Sequence, residues 1–150
     1  MRQEEFVMRG QTPSTSGKNT EVLNFSGFKP GYAYRLTEFV LFPSTDYLNS
    51  SFESAACITA GKTALDPVSP NFSEEGLIAT AFVSDNDATQ YPVSALSVIN
   101  DTFLITQNLL LTVTDTGNDP VNWQCKFMPV KMTKAEEAVT NYKQFIISDE

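Results

Sequence analysis

Oxygen-bearing side chains gather in two loops, Asp85-Asn86-Asp87 and Asp115 with Asn118 and Asp119. Hard cations such as calcium take carboxylate and carbonyl oxygens. Neither loop has EF-hand spacing, and Asp and Asn occupy turns for backbone reasons of their own. Turn formation is therefore the expectation, with no metal site. Glu74 and Glu75, with Asp101, could supply the paired carboxylates of glycoside hydrolysis, which need a separation of about 5–10 Å across a cleft. Two neighbours in sequence read better as a solvated turn. Ala60-Gly61-Lys62-Thr63 ends like a phosphate-binding P-loop, but the glycine required five residues before Gly61 is Ala56, and Asp66-Pro67 obstructs the helix that should follow. The chain has no histidine. That removes Ser-His-Asp and Cys-His catalysis and every histidine-containing metal site. No catalytic residue, cofactor or metal is expected, and the chain does not read as an enzyme.

Cys57 and Cys125 form no C-x-x-C pair and read as buried free thiols. Phe28, Tyr32, Tyr47, Phe52, Phe72 and Tyr91 sit in or beside loops. Sugar-binding sandwiches stack glycans on such rings, which makes Phe28, Tyr32, Tyr47, Phe72 and Tyr91 a candidate stacking set. Aromatic rings equally close the ends of a core or fill subunit contacts, and that use is the preferred reading.

The elements that would position these groups are mostly strands. Asn108 to Lys131 reads as a β-hairpin: Leu109, Leu111 and Val113 share one face before a turn of Asp, Thr, Gly, Asn and Pro, and Val121, Trp123, Cys125 and Phe127 share one face after it. Further strands are expected at Glu21–Ser26, Tyr32–Phe42, Glu53–Ala60, Gly76–Val83, Val93–Asn100 and Thr102–Thr106, the last two as separate strands or as one interrupted strand. Gly76–Val83 is nearly continuously apolar and reads as buried on both faces. A parity change near Thr37-Glu38 predicts a bulge or two partly buried faces, and a bulge is expected at Met128-Pro129, with Pro129 at an edge. Thr133 and Glu136 form a capping box opening a helix over 134–144, with Ala135, Ala138, Val139 and Tyr142 as its apolar stripe. Phe145 to Ile147 then form a short tail. These elements predict one all-β domain over 21–150, an antiparallel β-sandwich with the single jelly roll as its candidate form and the strand order left open.

Residues 1–20 read as an extended N-terminal arm, because 11–20 offer no apolar side chain apart from Pro13. Phe6, Val7 and Met8 are its candidate anchors in a neighbouring subunit, with packing on its own domain as the alternative.

The 150 residues carry ten Lys+Arg against eighteen Asp+Glu, a formal charge of −8. Nucleic acid or an anionic membrane surface would be repelled on average. No apolar run approaches the length of a membrane span, and Met1 to Glu5 lack a signal-peptide core. A soluble protein made in a cytoplasm is expected.

Several segments, Phe39-Val-Leu-Phe-Pro-Ser44, Ile58-Thr-Ala-Gly-Lys-Thr-Ala64 with Asp66-Pro67, Pro70-Asn-Phe72, Glu75-Gly-Leu-Ile-Ala-Thr80 and Val121-Asn-Trp-Gln-Cys125, resemble small virion structural proteins of marine bacteriophages in style and order. The resemblance spans most of residues 10–145. It implies a capsid, cement or other head- or tail-associated protein, made in the host cytoplasm and residing in the virion. Its partners would be copies of itself and other virion proteins. No functional residue carries over. The competing expectation is a carbohydrate-binding or host-adhesion sandwich.

Overall fold

Strand alternation decides which side chains meet, and the buried residues follow it closely. The computed structural model describes residues 4–25, 30–44, 51–61, 63–85 and 94–149. Among the described residues, eight strands precede one helix: β1 (Phe6–Gln11), β2 (Lys18–Leu23), β3 (Tyr32–Pro43), β4 (Phe52–Ala60), β5 (Leu77–Asp85), β6 (Ser94–Ile99), β7 (Leu109–Asp115), β8 (Val121–Lys131) and α1 (Lys134–Asp149). The strands form two antiparallel sheets, ordered β1-β8-β3 and β2-β7-β4-β5-β6. Their inner faces bury one core, so the fold is a β-sandwich with a C-terminal helix.

The segment read as a hairpin is not one. β7 pairs with β2 and β4, whereas β8 pairs with β1 and β3. Both arms keep the expected core faces, but these faces meet across the sandwich: Leu109, Leu111 and Val113 from one sheet, Val121, Trp123, Cys125 and Phe127 from the other, all buried. Alternation fixes which face of a strand is buried and leaves its hydrogen-bonded neighbour undetermined.

The expected arm is also corrected. Within residues 1–20, β1 runs antiparallel to β8 from Phe6↔Phe127 to Gln11↔Asn122, and β2 starts antiparallel to β7 at Lys18↔Thr114. Phe6 is buried in its own core, stacked on Phe127 with centroids 5.4 Å apart and edge-on to Tyr34. Met8 is partly buried against the same core, and Val7 points outward. A polar strand needs only one apolar face, because the ladder satisfies its backbone. Between the two strands, Thr12 is buried: its N–H donates to the Val121 carbonyl at 3.0 Å and its Oγ1 accepts from Val121 N–H at 2.9 Å.

The bulge in β3 lies where parity placed it, with the register slipping between Leu36 and Glu38. It brings Tyr34, Leu36, Phe39 and Leu41 onto one buried face. No register shift occurs at Met128-Pro129; Pro129 pairs with Tyr34. It lies beyond the end of β1, which starts opposite Phe127, so its missing N–H faces an open edge. Thr102–Thr106 is reduced to a bridge, Ile105 exchanging both backbone bonds with Tyr34 at 2.8 and 2.9 Å.

Thr133 and Glu136 cap α1 reciprocally, at 3.2 and 3.4 Å. The helix continues to Asp149, through the segment read as a separate tail. The anticipated apolar stripe faces outward, with Val139 and Tyr142 exposed. Gln144 docks the helix instead: its Oε1 accepts from Thr106 N–H at 3.1 Å and its Nε2 donates to the Leu104 carbonyl. Ile147 packs where Gly61 and Gly76 lack side chains. A buried amide with both ends bonded outweighs the weak moment of small apolar residues.

A jelly roll pairs strands 1–8, 2–7, 3–6 and 4–5. Three of these pairings form here; β6 pairs with β5 instead of β3. β6 is therefore the edge of the five-stranded sheet, packed near β3 without pairing to it and exposed from Ser94 through Val98.

Candidate functional site

The acidic loop between β7 and β8 is a structural turn. Asp115 is buried, and its Oδ2 accepts from the N–H groups of Gly117 and Asp119 at 3.0 and 3.1 Å. Its Oδ1 accepts from the buried Ser54 hydroxyl at 2.6 Å. Asn118 takes a left-handed φ of 60°, which asparagine tolerates. These bonds hold the crossover from one sheet to the other and engage both carboxylate oxygens. In the other acidic loop only Asp85 is described, and it is buried; Asn86 and Asp87 lie outside the described residues. Glu74, Glu75 and Asp101 are all exposed. Among the described residues, no three His, Cys, Asp or Glu side chains come together as a cation site.

Gly61 ends β4 with φ +118°, and Ile147 covers it. Lys62 lies outside the described residues, and no helix follows over 63–76. Asp66 accepts from Val68 N–H at 3.0 Å and pairs with Lys18 at 3.4 Å, and these contacts, the backbone bond foremost, hold its carboxyl below the usual range. This is turn chemistry and not a phosphate cradle.

Cys57 on β4 and Cys125 on β8 are free, fully buried thiols on opposite sheets. Burial, with the nearby Asp66 charge adding to it against Lys18, pushes Cys57 up to about 11. Burial alone pushes Cys125 up to about 12. Neither is a nucleophile at neutral pH, since the thiolate is the reactive form.

The glycan-stacking candidates are not brought together where they can be followed. Phe28, Tyr47 and Tyr91 lie outside the described residues. Tyr32 starts β3 opposite Lys131 and is half-buried. Phe72 is exposed and lines a cavity of about 220 Å³ with Leu77, Thr80, Val98 and Asn100, on the other sheet. Phe52, grouped with the loop aromatics from sequence, is buried at the start of β4.

Two surfaces were not legible as sites. On the outer face of β5 and β6, Phe82 stands opposite Leu96 and Thr80 opposite Val98. Phe82, Leu96 and Val98 are exposed, with Val68 and Phe72 from the preceding loop beside them. The apolar run of β5 read as burial on both faces, but Phe82 points out. β6 has no charged residue and β5 only Asp85. The second surface is the outer face of the three-stranded sheet, a groove of about 650 Å³ including Arg9, Gln11, Val40, Phe42, Asn122 and Gln124. Gln11 donates to Asn122 there at 3.0 Å, and Gln124 donates to Glu38 at 3.2 Å. Among the described residues no helix is long and apolar enough to cross a membrane. No family model matches the chain, and no curated protein matches it.

Proposed function

We propose that this protein is a structural component of a virus particle that works by self-association, as a capsid, cement or other head- or tail-associated protein. The observation that supports assembly is the uncharged strip of Phe82, Leu96 and Val98, joined by Val68 and Phe72, on a chain of net charge −8. Contiguous exposed apolar patches on soluble domains mark contact surfaces. Copies of so acidic a chain repel one another in general, so a neutral strip is where they can approach. The virion part of the reading is supported by the resemblance of segments such as Phe39–Ser44 and Val121–Cys125 to phage structural proteins.

Light scattering and native mass spectrometry of the full chain test this reading. A defined oligomer at micromolar concentration, weakened by Phe82→Glu, is expected. A monomer at several hundred micromolar would overturn it.

A carbohydrate-binding or host-adhesion module is the second reading. The observation favouring it is the groove on the three-stranded sheet, where Arg9, Gln11, Asn122 and Gln124 offer hydrogen bonds around the exposed Phe42 ring. Glycan-array binding that Phe42→Ala abolishes, by a monomeric chain, would establish this reading in place of the first.

A further inference from the structure

We infer that β6 is a self-pairing edge: two copies join antiparallel along Ser94–Ile99, with a two-fold axis at Ser97. The inference rests on the self-association reading and gives it a surface and a register.

The ladder to β5 fixes which backbone groups are free. Asn100 N–H donates to the Ile78 carbonyl at 2.8 Å, in the same register that pairs Ala79 with Ile99 and Ala81 with Ser97. N–H and C=O of one strand residue point to the same side, and successive residues alternate. Val98, Leu96 and Ser94 therefore face β5, and the N–H and C=O groups of Ala95, Ser97 and Ile99 point along the outer edge. Among the described residues no strand pairs with that edge. The occupant it calls for is an extended backbone.

The side chains say which one. A two-fold contact needs a surface complementary to itself. About Ser97 the strand is: Leu96 would face Val98 of the other copy, Ala95 would face Ile99, and Ser97 would face its own counterpart. This register pairs all three outward residues and forms six backbone hydrogen bonds. An axis at Leu96 would place Ser94 against Val98 and Ala95 against Ser97, mixing polar with apolar. Exposed edges are ordinarily protected by lysine, proline or a bulge; β6 has no lysine and no proline, and its register to β5 is unbroken. β3 packs beside it without pairing, Phe39 and Leu41 lining a cavity with Ala95 and Ser97, and Ser94 through Val98 stay exposed while Ile99 packs against the core. Joining two copies would give one ten-stranded sheet, with Phe82, Leu96 and Val98 of each copy continuous across the axis.

Four variants of the full chain test this, with circular dichroism confirming that each is folded. Ser97→Pro removes an N–H that β5 does not use. Ser97→Lys places a charge on the axis and serves if the proline variant does not fold. Either should raise the dissociation constant of the self-associated state at least tenfold. Ser97→Cys should form an intermolecular disulfide, since residues opposite in a hydrogen-bonded antiparallel pair have Cα atoms about 5.5 Å apart. Ser94→Cys should not, because its two copies would lie about 20 Å apart along the paired strands. The native thiols are buried and do not compete. An oligomer that persists in both Ser97→Pro and Ser97→Lys, with no Ser97→Cys disulfide, overturns the inference and leaves self-association standing through another face. Linkage through Ser94→Cys and not Ser97→Cys overturns the register. A chain monomeric at every concentration overturns both this inference and the reading beneath it.

Discussion

Gly10 lies directly opposite Trp123 in the β1–β8 ladder, and the indole occupies the space a side chain at position 10 would need: a Cβ there would sit 3.0 Å from Trp123 Cζ2. Gly10→Val should therefore force the ring to shift, at a cost of about 1–3 kcal/mol. For a domain of this size that is a fall in melting temperature of roughly 2–12 °C. Differential scanning calorimetry checks it. An unchanged melt would mean that β1 is detached from β8 in solution.

Phe6 and Val7 give a sharper contrast on the same strand. Phe6 is 8 % exposed among Phe25, Tyr34 and Phe127, and Val7 is 46 % exposed on the outer face. Phe6→Ala should cost about 3–5 kcal/mol. Val7→Ala should cost about 0.5 kcal/mol or less. Urea denaturation distinguishes this from an arm that docks only on a neighbour, for which neither change would affect the isolated chain.

These residues also show what the sequence could disclose. Burial faces were legible: the apolar positions of β7 and β8 are buried as alternation requires, and the parity change, which fitted a bulge or two partly buried faces, marks where the register slips between Leu36 and Glu38. Pairing was not, because β7 beside β8 and β7 across from β8 present the same alternation. The polar stretch after Phe6 looked unable to order itself because a count of side chains omits the backbone bonds that β8 supplies. The candidate surfaces were hidden for a related reason. Phe82 is outward only because β5 has a particular inner face, and β6 is an open edge only because it pairs with β5 and leaves β3.

Asp115 tests the difference between a turn and a cation site. Its carboxylate accepts three hydrogen bonds, one from buried Ser54. Asp115→Ala should cost about 2–4 kcal/mol, since bonds to a charged group contribute about 1.5–3 kcal/mol and a buried hydroxyl loses its partner. Ser54→Ala should cost about 1 kcal/mol, and the double variant less than the sum. Millimolar calcium should leave the melting temperature of the parent chain unchanged. A calcium-dependent rise abolished by Asp115→Ala would show that this loop holds the cation.

The two thiols set an alkaline limit on stability. A buried thiol raised above its ordinary value of 9.0 stays protonated in the fold while the unfolded chain begins to ionise. Below pH 9 both states hold the proton, and the thiols make stability independent of pH. From about pH 9 the unfolded chain binds fewer protons, so stability falls as pH rises, by at most about 1.4 kcal/mol per pH unit for each thiol. The fall from Cys57 should level off near its folded value of about 11, and that from Cys125 near about 12. Urea midpoints should therefore be flat from pH 7 to 8.5 and then decline. Cys57→Ala and Cys125→Ala should lower the midpoint at neutral pH through lost packing, and each should make the decline above pH 9 shallower. The rest of the chain is the same in parent and variants, so the difference between slopes isolates the thiols. Identical slopes in parent and both variants would mean that the thiols are not held neutral by the core. Iodoacetamide gives an independent check at pH 8: no label on the native chain, and two labels in denaturant without reductant.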